Sequence, residues 1–299
     1  WIKSRYSEKL AEVWKQEIPE INHVELRVRN HGEKIKNSAS DNDSSFPGIQ
    51  NAAILENNDD SSLMNTSSPL DRRYTFNNYV VGRSNALAHA AAMRVSQPQK
   101  SIPVEFNPLY IHGPVGTGKT HLLNAIAWES KARHPDRKIL FLSAVRFMSS
   151  FVEAVKSKDT ISFKKVFADV DLLLIDDMQF LQGKSVQQEF CHIFNALDTS
   201  KHQIVIAGDS APSKLEMLDD RMRSRLSGGL VAQIGPTDFD IRRGILEKKL
   251  AQTLRGNTRI EISPSVLDFL ARRIQSSGRE LEGAMNRIIA AHSLNKRPI

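Results

Sequence analysis

The sequence predicts an α/β fold: a parallel β-sheet flanked by helices, followed by a small, all-helical subdomain. Three observations carry this. Five short apolar runs lie between longer stretches of helical period and show no polar alternation, the pattern of strands buried on both faces. One of those runs leads directly into a glycine-rich loop that opens a helix. After Gly235-Pro236 the strand-like runs stop and only helical patterns remain.

The strand candidates, in order, are 109–111, 139–142, 170–175, 203–207 and 230–234. The helical patterns after the last of them cover 238–254, 265–275 and 279–294. Apolar stripes mark two of these, with Val266, Leu267, Leu270 and Ile274 on one and Leu281, Ala284, Met285 and Ile288 on the other. Upstream, residues 1–30 read as a helix with Leu10, Val13 and Trp14 on one face, then an alternating strand over 23–29. Thirty residues are too few for an independent core, so this stretch reads as the remnant of a small α/β module. Residues 31–70 are dominated by Ser, Asn and Asp and have too little apolar surface to offset chain entropy, which predicts a disordered linker. The sheet is expected over 71–236 and the helical subdomain over 237–299.

Composition bounds the function. The chain has 299 residues, 40% hydrophobic and 25% charged, which is ordinary for a globular protein. No apolar run approaches the ~20 residues that span a bilayer. A single cysteine, Cys191, excludes an intrachain disulfide framework and suits a reducing compartment, so a cytoplasmic location is expected. The chain starts at Trp1 without a methionine or a signal-peptide pattern, and is expected to be a piece of a longer protein. Lys and Arg number 41 against 34 Asp and Glu, a formal charge of +7 that favours polyanionic partners. The linker holds excess acid, so the remainder is more basic than that figure suggests.

The chemistry concentrates in Gly113-Pro114-Val115-Gly116-Thr117-Gly118-Lys119-Thr120, a full G-x-x-x-x-G-K-[ST] match between a strand and a helix. Its glycines let backbone N–H groups wrap phosphates at a helix N-terminus. Lys119 supplies charge to the β- and γ-phosphates, and the Thr120 hydroxyl is placed to ligate Mg²⁺. A partner carboxylate is expected at the end of a neighbouring strand, where Leu172-Leu-Leu-Ile-Asp176-Asp177 supplies two. Asp176 is expected to hold Mg²⁺ through water and Asp177 to orient the attacking water. An aspartate in the second place is one methylene shorter than glutamate, and predicts slow hydrolysis that serves as a timer.

Other candidates divide between two readings on spacing alone. Asp209, after the fourth strand, can face the γ-phosphate or simply form a turn. Arg221, Arg223 and Arg225 can reach a neighbouring subunit's phosphate or form a solvated basic helix end. Arg279 can fold onto the phosphates or pair with Glu282 three residues on. Cys191 lies among Phe190, Ile193, Phe194 and Leu197 and reads as a core filler. His112 and His121 flank the loop without a partner for acid–base work.

The chain resembles the DnaA family of bacterial chromosomal replication initiators, within the AAA+ ATPases. The resemblance covers residues 71–299 and rests on six stretches: Tyr74-Thr-Phe-Asn-Asn-Tyr-Val-Val-Gly82, Asn107-Pro-Leu109, Gly113 through Leu123 ending in Gly-Lys-Thr-His-Leu-Leu, Leu174-Ile-Asp-Asp-Met-Gln-Phe180, Phe194-Asn-Ala-Leu197 and Gly278-Arg-Glu-Leu-Glu-Gly-Ala284. It implies an AAA+ P-loop sheet with a helical lid, and it implies roles. Tyr79, Val80 and Asn85 would cradle adenine, and His121 would follow the loop into the nucleotide site. Asp209 and Arg279 would be the first and second phosphate sensors. Arg225 would be the arginine finger and Arg221 a second interface arginine. Val152 and Lys156, on a helix over 148–157, would line a channel for single-stranded DNA. The partner loop over 182–186 departs from the family pattern, with Val186 where a basic residue is common and Lys184 as its substitute.

The resemblance also implies ATP, ADP and Mg²⁺ as ligands, with ATP-dependent head-to-tail assembly on single-stranded origin DNA. The replicative helicase would be met through the N-terminal domain, duplex origin DNA through a C-terminal helix-turn-helix domain absent from this chain, and acidic phospholipids would be a further partner. The function implied is replication initiation, origin melting and helicase loading, with slow ATP hydrolysis acting as an assembly switch. A DnaA-like regulator of the initiator, or a helicase-loader-type ATPase, ranks second because such regulators lack the N-terminal module and linker seen here. A stand-alone kinase or motor would need an acceptor site or a stronger hydrolytic base.

Overall fold

The computed structural model describes residues 67–97, 106–254 and 262–295, with side chains through His292. These lie in one compact unit. The module expected over 1–30 and nearly all of the linker expected over 31–70 fall outside the described residues. Residues 67–70 are described, and Ser67 and Ser68 hydrogen-bond Phe141.

Five strands form one parallel sheet: β1 (Leu109–His112), β2 (Ile139–Ser143), β3 (Leu172–Asp176), β4 (Gln203–Gly208) and β5 (Leu230–Gln233), in the order β2-β3-β4-β1-β5. The three central strands are almost wholly buried, as their unbroken apolar runs require. Helices α1 (Ala86–Ser96), α2 (Lys119–Arg133), α3 (Ala144–Lys156), α4 (Thr160–Ala168), α5 (Lys184–Thr199) and α6 (Asp220–Ser227) accompany the sheet. One core packs α3, α4, α5 and α6 against it, and another packs α1 and α2. Phe147, Phe163, Phe167 and Phe190 meet edge to face at 5.1–5.7 Å and join α3, α4 and α5. Among the described residues no helix is long and apolar enough to cross a membrane.

The strand boundaries differ from the sequence pattern in instructive ways. The run expected over 170–175 becomes Leu172–Asp176 because Asp171 turns the chain: its backbone N–H donates to Lys138 O and its carboxylate accepts from Lys138 N–H. The shift places Asp176 inside the strand. The helix expected over 148–157 begins four residues earlier, immediately after β2, where the Ser143 hydroxyl caps it by accepting from Arg146 N–H. The loop expected over 182–186 ends at Gly183, so Lys184 and Val186 belong to α5 and Val186 is buried.

After β5 come α7 (Phe239–Leu254), α8 (Pro264–Arg273) and α9 (Gly278–Asn295), whose apolar faces form a separate core around Leu246, Leu267, Leu270, Leu281 and Met285. Arg242 of α7 is buried within this lid. Its guanidinium donates to Ala271 O at 2.7 Å, near the end of α8, and to Thr237 O on the approach to α7. Arg242→Met leaves both carbonyls without a donor. The expected cost is about 2–4 kcal/mol, seen as faster amide exchange across α8. Unchanged exchange there would show that the contacts are dispensable.

Candidate functional site

The site forms where the strands end. β1 runs out at His112 between the ends of β4 and β5, which is where open α/β sheets bind ligands. Gly113 has no room for a side chain, since a Cβ would lie 2.2 Å from Ile234 O. Gly116 and Gly118 have φ of +79° and +96°, and together they turn the chain into α2. Within the loop the Thr117 hydroxyl donates to Pro114 O at 2.8 Å. Lys119 is only 7% exposed, and its ammonium donates to Gly113 O at 2.7 Å and Pro114 O at 3.0 Å. Burial lowers its pKa, opposed by the nearby Asp176, Asp177 and Asp209 carboxylates.

The two carboxylates at the end of β3 have different environments. Asp176 is buried, and its Oδ2 accepts from the Thr120 hydroxyl at 2.6 Å while Oδ1 accepts from Asp177 N–H at 2.9 Å. Burial raises its pKa, and the Thr120 bond opposes that. Asp177 has a left-handed backbone (φ 57°, ψ 47°), a conformation that costs a non-glycine residue energy and that clusters at functional sites. Its Oδ1 accepts from Gln179 Nε2 at 3.0 Å, and Gln179 Oε1 in turn accepts from Asp209 N–H at 3.1 Å. One amide side chain thus ties the end of β3 to the end of β4. Tyr110 secures the same end of β4 by donating to Ser210 O.

A cavity of about 320 Å³ lies over the loop. Tyr79, Val80, Asn85, Val115 through His121, Asp177 and Arg279 line it. Gly113, Pro114, Asp176 and Asp209 do not, but each bonds a residue that does. The lid reaches the loop directly: Gly278 N–H donates to Gly116 O at 3.2 Å, and a Cβ on Gly116 would lie 2.5 Å from that of Ser277. Arg279 follows at the start of α9, exposed, and close enough to Lys119 to depress its pKa further. Among the described residues Arg279 makes no ion pair with Glu282.

Two expected base contacts are braced from behind. The Tyr79 ring is buried, stacked on His89 and set edge-on to His121. Asn85 accepts from Gly82 N–H and donates to Val80 O, which fixes the turn between them. His121 sits within 2.8 Å of Thr75 O and stacks on Tyr74, so its Nε2 carries the proton. Burial lowers its pKa.

The remaining residues lie outside this cavity. Arg221 and Arg225 are exposed and one turn apart on α6, whereas Arg223 is held by Asp220. Val152 and Lys156 are exposed on α3, and Lys184 is exposed at the start of α5. Gln182 N–H contacts Met148 Sδ at 3.2 Å, which joins that start to α3. Sequence reasoning gave no role to Gln179 or to Lys248 of α7. Gln179 stands within a recognised motif, but Lys248 carries no local signal.

A glycine-loop strand–helix unit, a carboxylate pair at the end of β3, separated from β1 by β4 and not on the neighbouring strand as expected, and a helical lid on the loop define a P-loop nucleotide-binding protein of the AAA+ class. Comparisons narrow this. The family model described as the bacterial DnaA ATPase domain matches residues 70–233. A chromosomal replication initiator protein DnaA from Rhodopseudomonas palustris (strain TIE-1) is 44% identical over 308 aligned positions, covering 100% of this chain and 65% of the relative. Domain III of the Thermotoga maritima replication initiation protein DnaA superposes with a TM-score of 0.71 at 36% identity, covering 78% of this chain and 94% of that one. A replication initiator DnaA bound to AMPPCP and single-stranded DNA gives a TM-score of 0.64 at 36% identity, over 74% and 66% of the respective chains. The chain belongs to the DnaA family of chromosomal replication initiators. It spans 65% of the length of the curated relatives it matches.

Proposed function

We propose that this chain is the ATP-switched assembly module of a replication initiator, which binds ATP or ADP in the lid-covered cavity, polymerises in the ATP state and grips single-stranded origin DNA. The observation that supports this best is the convergence on one cavity of Lys119 and Thr120 from the start of α2, Asp177 from the end of β3 and Arg279 from the lid. Only the triphosphate offers a γ-phosphate to a lid residue, so lid position can report which nucleotide is bound.

The residues divide the work. Lys119 supplies fixed positive charge to the β- and γ-phosphates, and the loop N–H groups hold the remaining oxygens. Thr120 and Asp176 fit Mg²⁺, because a hydroxyl and a carboxylate oxygen converge at 2.6 Å and both are hard donors. When bound, the ion neutralises charge on the phosphates. Asp177 orients the attacking water, and its short side chain, already engaged by Gln179, keeps turnover slow. Asp209 and Arg279 sense the γ-phosphate from the sheet and the lid. Arg225 reaches the neighbouring subunit's γ-phosphate and Arg221 supports that interface, building an open head-to-tail filament. Val152, Lys156 and Lys184 contact the strand without reading its sequence, so binding weakens steeply with salt. Origin melting and helicase loading follow from that filament in the whole initiator, with helicase, duplex-DNA and phospholipid contacts made by its other surfaces.

Light scattering of the chain in Mg-ATP and Mg-ADP, with and without poly-dT, tests the reading. A mass increase confined to ATP, larger with the strand and abolished in Arg225→Ala with ATP affinity intact, is the expected result. Filaments that form normally in Arg225→Ala would remove the finger assignment. A single monomer mass in all four conditions, with ATP bound, would remove self-assembly from this chain's function.

A further inference from the structure

We propose that Lys248 is a latch between the lid and the base-cradling segment, and that it sets how fast nucleotide leaves. The proposal deepens the nucleotide-site reading and rests on it. Its geometry begins at the short 3₁₀ turn Phe76–Asn78, which lies one residue before Tyr79. Such a turn leaves its last carbonyls without partners inside the turn. The Lys248 ammonium, reaching across from α7, donates to Asn77 O and, at 3.0 Å, to Tyr79 O. A cation at the carboxyl end of a helical turn also complements its dipole. Lys248 lines the same cavity as Tyr79, Val80 and Asn85, but its charge is directed at the protein backbone. Partial burial lowers the pKa of the ammonium.

The surface on either side of the latch is built for close approach. Gly82 packs so tightly on α7 that a Cβ there would lie 2.6 Å from Ile241 Cδ1. Gly244 of α7 packs on the same segment, where a Cβ would lie 2.9 Å from Val80 Cγ1. Segment 77–82 and α7 are therefore in direct contact, and α7 shares its core with α9, the helix that carries Arg279. Lifting the lid from the phosphate loop must either carry the base cradle with it or break both charged hydrogen bonds. Lys248 touches no reacting atom in this scheme and acts only by position.

Release of fluorescent ATP and fluorescent ADP from the full chain, chased with unlabelled nucleotide, tests the latch in wild type, Lys248→Met and Lys248→Arg. Lys248→Met keeps the aliphatic stem and removes the donor. It is expected to speed release of both nucleotides by the same factor, about 10- to 100-fold, the scale of a lost charge-assisted hydrogen bond. Lys248→Arg retains donors and is expected to stay within about threefold of wild type, which a purely structural role would not produce. Gly244→Ala, which keeps the ammonium but crowds α7 against Val80 one turn before Lys248, is expected to speed release as well. Wild-type rates in Lys248→Met, or equal rates in the Met and Arg variants, would overturn the latch. Acceleration for ATP alone would also overturn it and assign Lys248 to phosphate. Failure of the wild-type chain to bind either nucleotide would overturn the underlying site reading instead.

Discussion

Lys119→Ala is expected to weaken ATP binding by about 100- to 1000-fold, measured by titration with a fluorescent ATP analogue at constant salt. A hydrogen bond to a charged group is worth about 1.5–3 kcal/mol, and the ammonium can offer two or more to the β- and γ-phosphates. The group stands ready: it is buried at the base of the loop with its donors on Gly113 O and Pro114 O. It can turn from those carbonyls to phosphate with little rearrangement, and three nearby carboxylates keep it charged against the effect of burial. The alanine variant loses the phosphate contact and also leaves both loop carbonyls without that donor, so the loop itself becomes less well ordered. ADP affinity is expected to fall by less, because ADP lacks the γ-phosphate. An ATP affinity within about threefold of wild type, with an unchanged far-UV spectrum, would show that the loop amides alone hold the phosphates.

The sheet and phosphate loop were legible because their signals are local. Unbroken apolar runs such as Leu172-Leu-Leu-Ile175 specify strands buried on both faces, and the loop motif fixes backbone conformation through its own glycines. Boundaries were less legible where a side chain redirects the chain, as Asp171 does before β3 and Ser143 does before α3. The pairing of Arg279 with Glu282, open on spacing alone, is not formed, since α9 starts against Gly116 and presents Arg279 to the cavity. Among the three arginines of α6, spacing could not show that Arg223 alone is held by Asp220. The least legible features are the bridges between distant segments. Gln179 meets the Asp209 amide 30 residues away, and Lys248 meets Asn77 across 171 residues. No periodicity or motif encodes such contacts, because they arise only when the sheet order and the lid bring the segments together.

Asp176→Asn is expected to lower ATP hydrolysis by about 100-fold or more while making the nucleotide-free protein more stable near neutral pH. Asn removes the negative charge that suits Asp176 to Mg²⁺, but it fits the same space. Its Oδ1 can accept from Asp177 N–H, and its Nδ2 can donate to the Thr120 hydroxyl, which rotates to accept. The stability gain follows from burial. Asp176 is 5% exposed, and desolvation is the leading cause of its raised pKa. A carboxyl whose pKa is higher in the folded than in the unfolded chain favours folding when protonated. That contribution is present below the unfolded pKa and is lost as pH rises through the folded one. At neutral pH the wild-type carboxylate therefore works against folding, and the uncharged amide does not. Thermal melts without nucleotide are expected to show the variant above wild type at pH 7, with the difference shrinking as pH falls toward the ordinary carboxylate range. A variant that melts below wild type at pH 7 would show that the Thr120 and Asp177 hydrogen bonds outweigh desolvation. Residual hydrolysis within about threefold of wild type would remove Asp176 from the metal site. Both outcomes together would make Asp176 a structural residue that holds the end of β3 through its hydrogen bonds to Thr120 and Asp177.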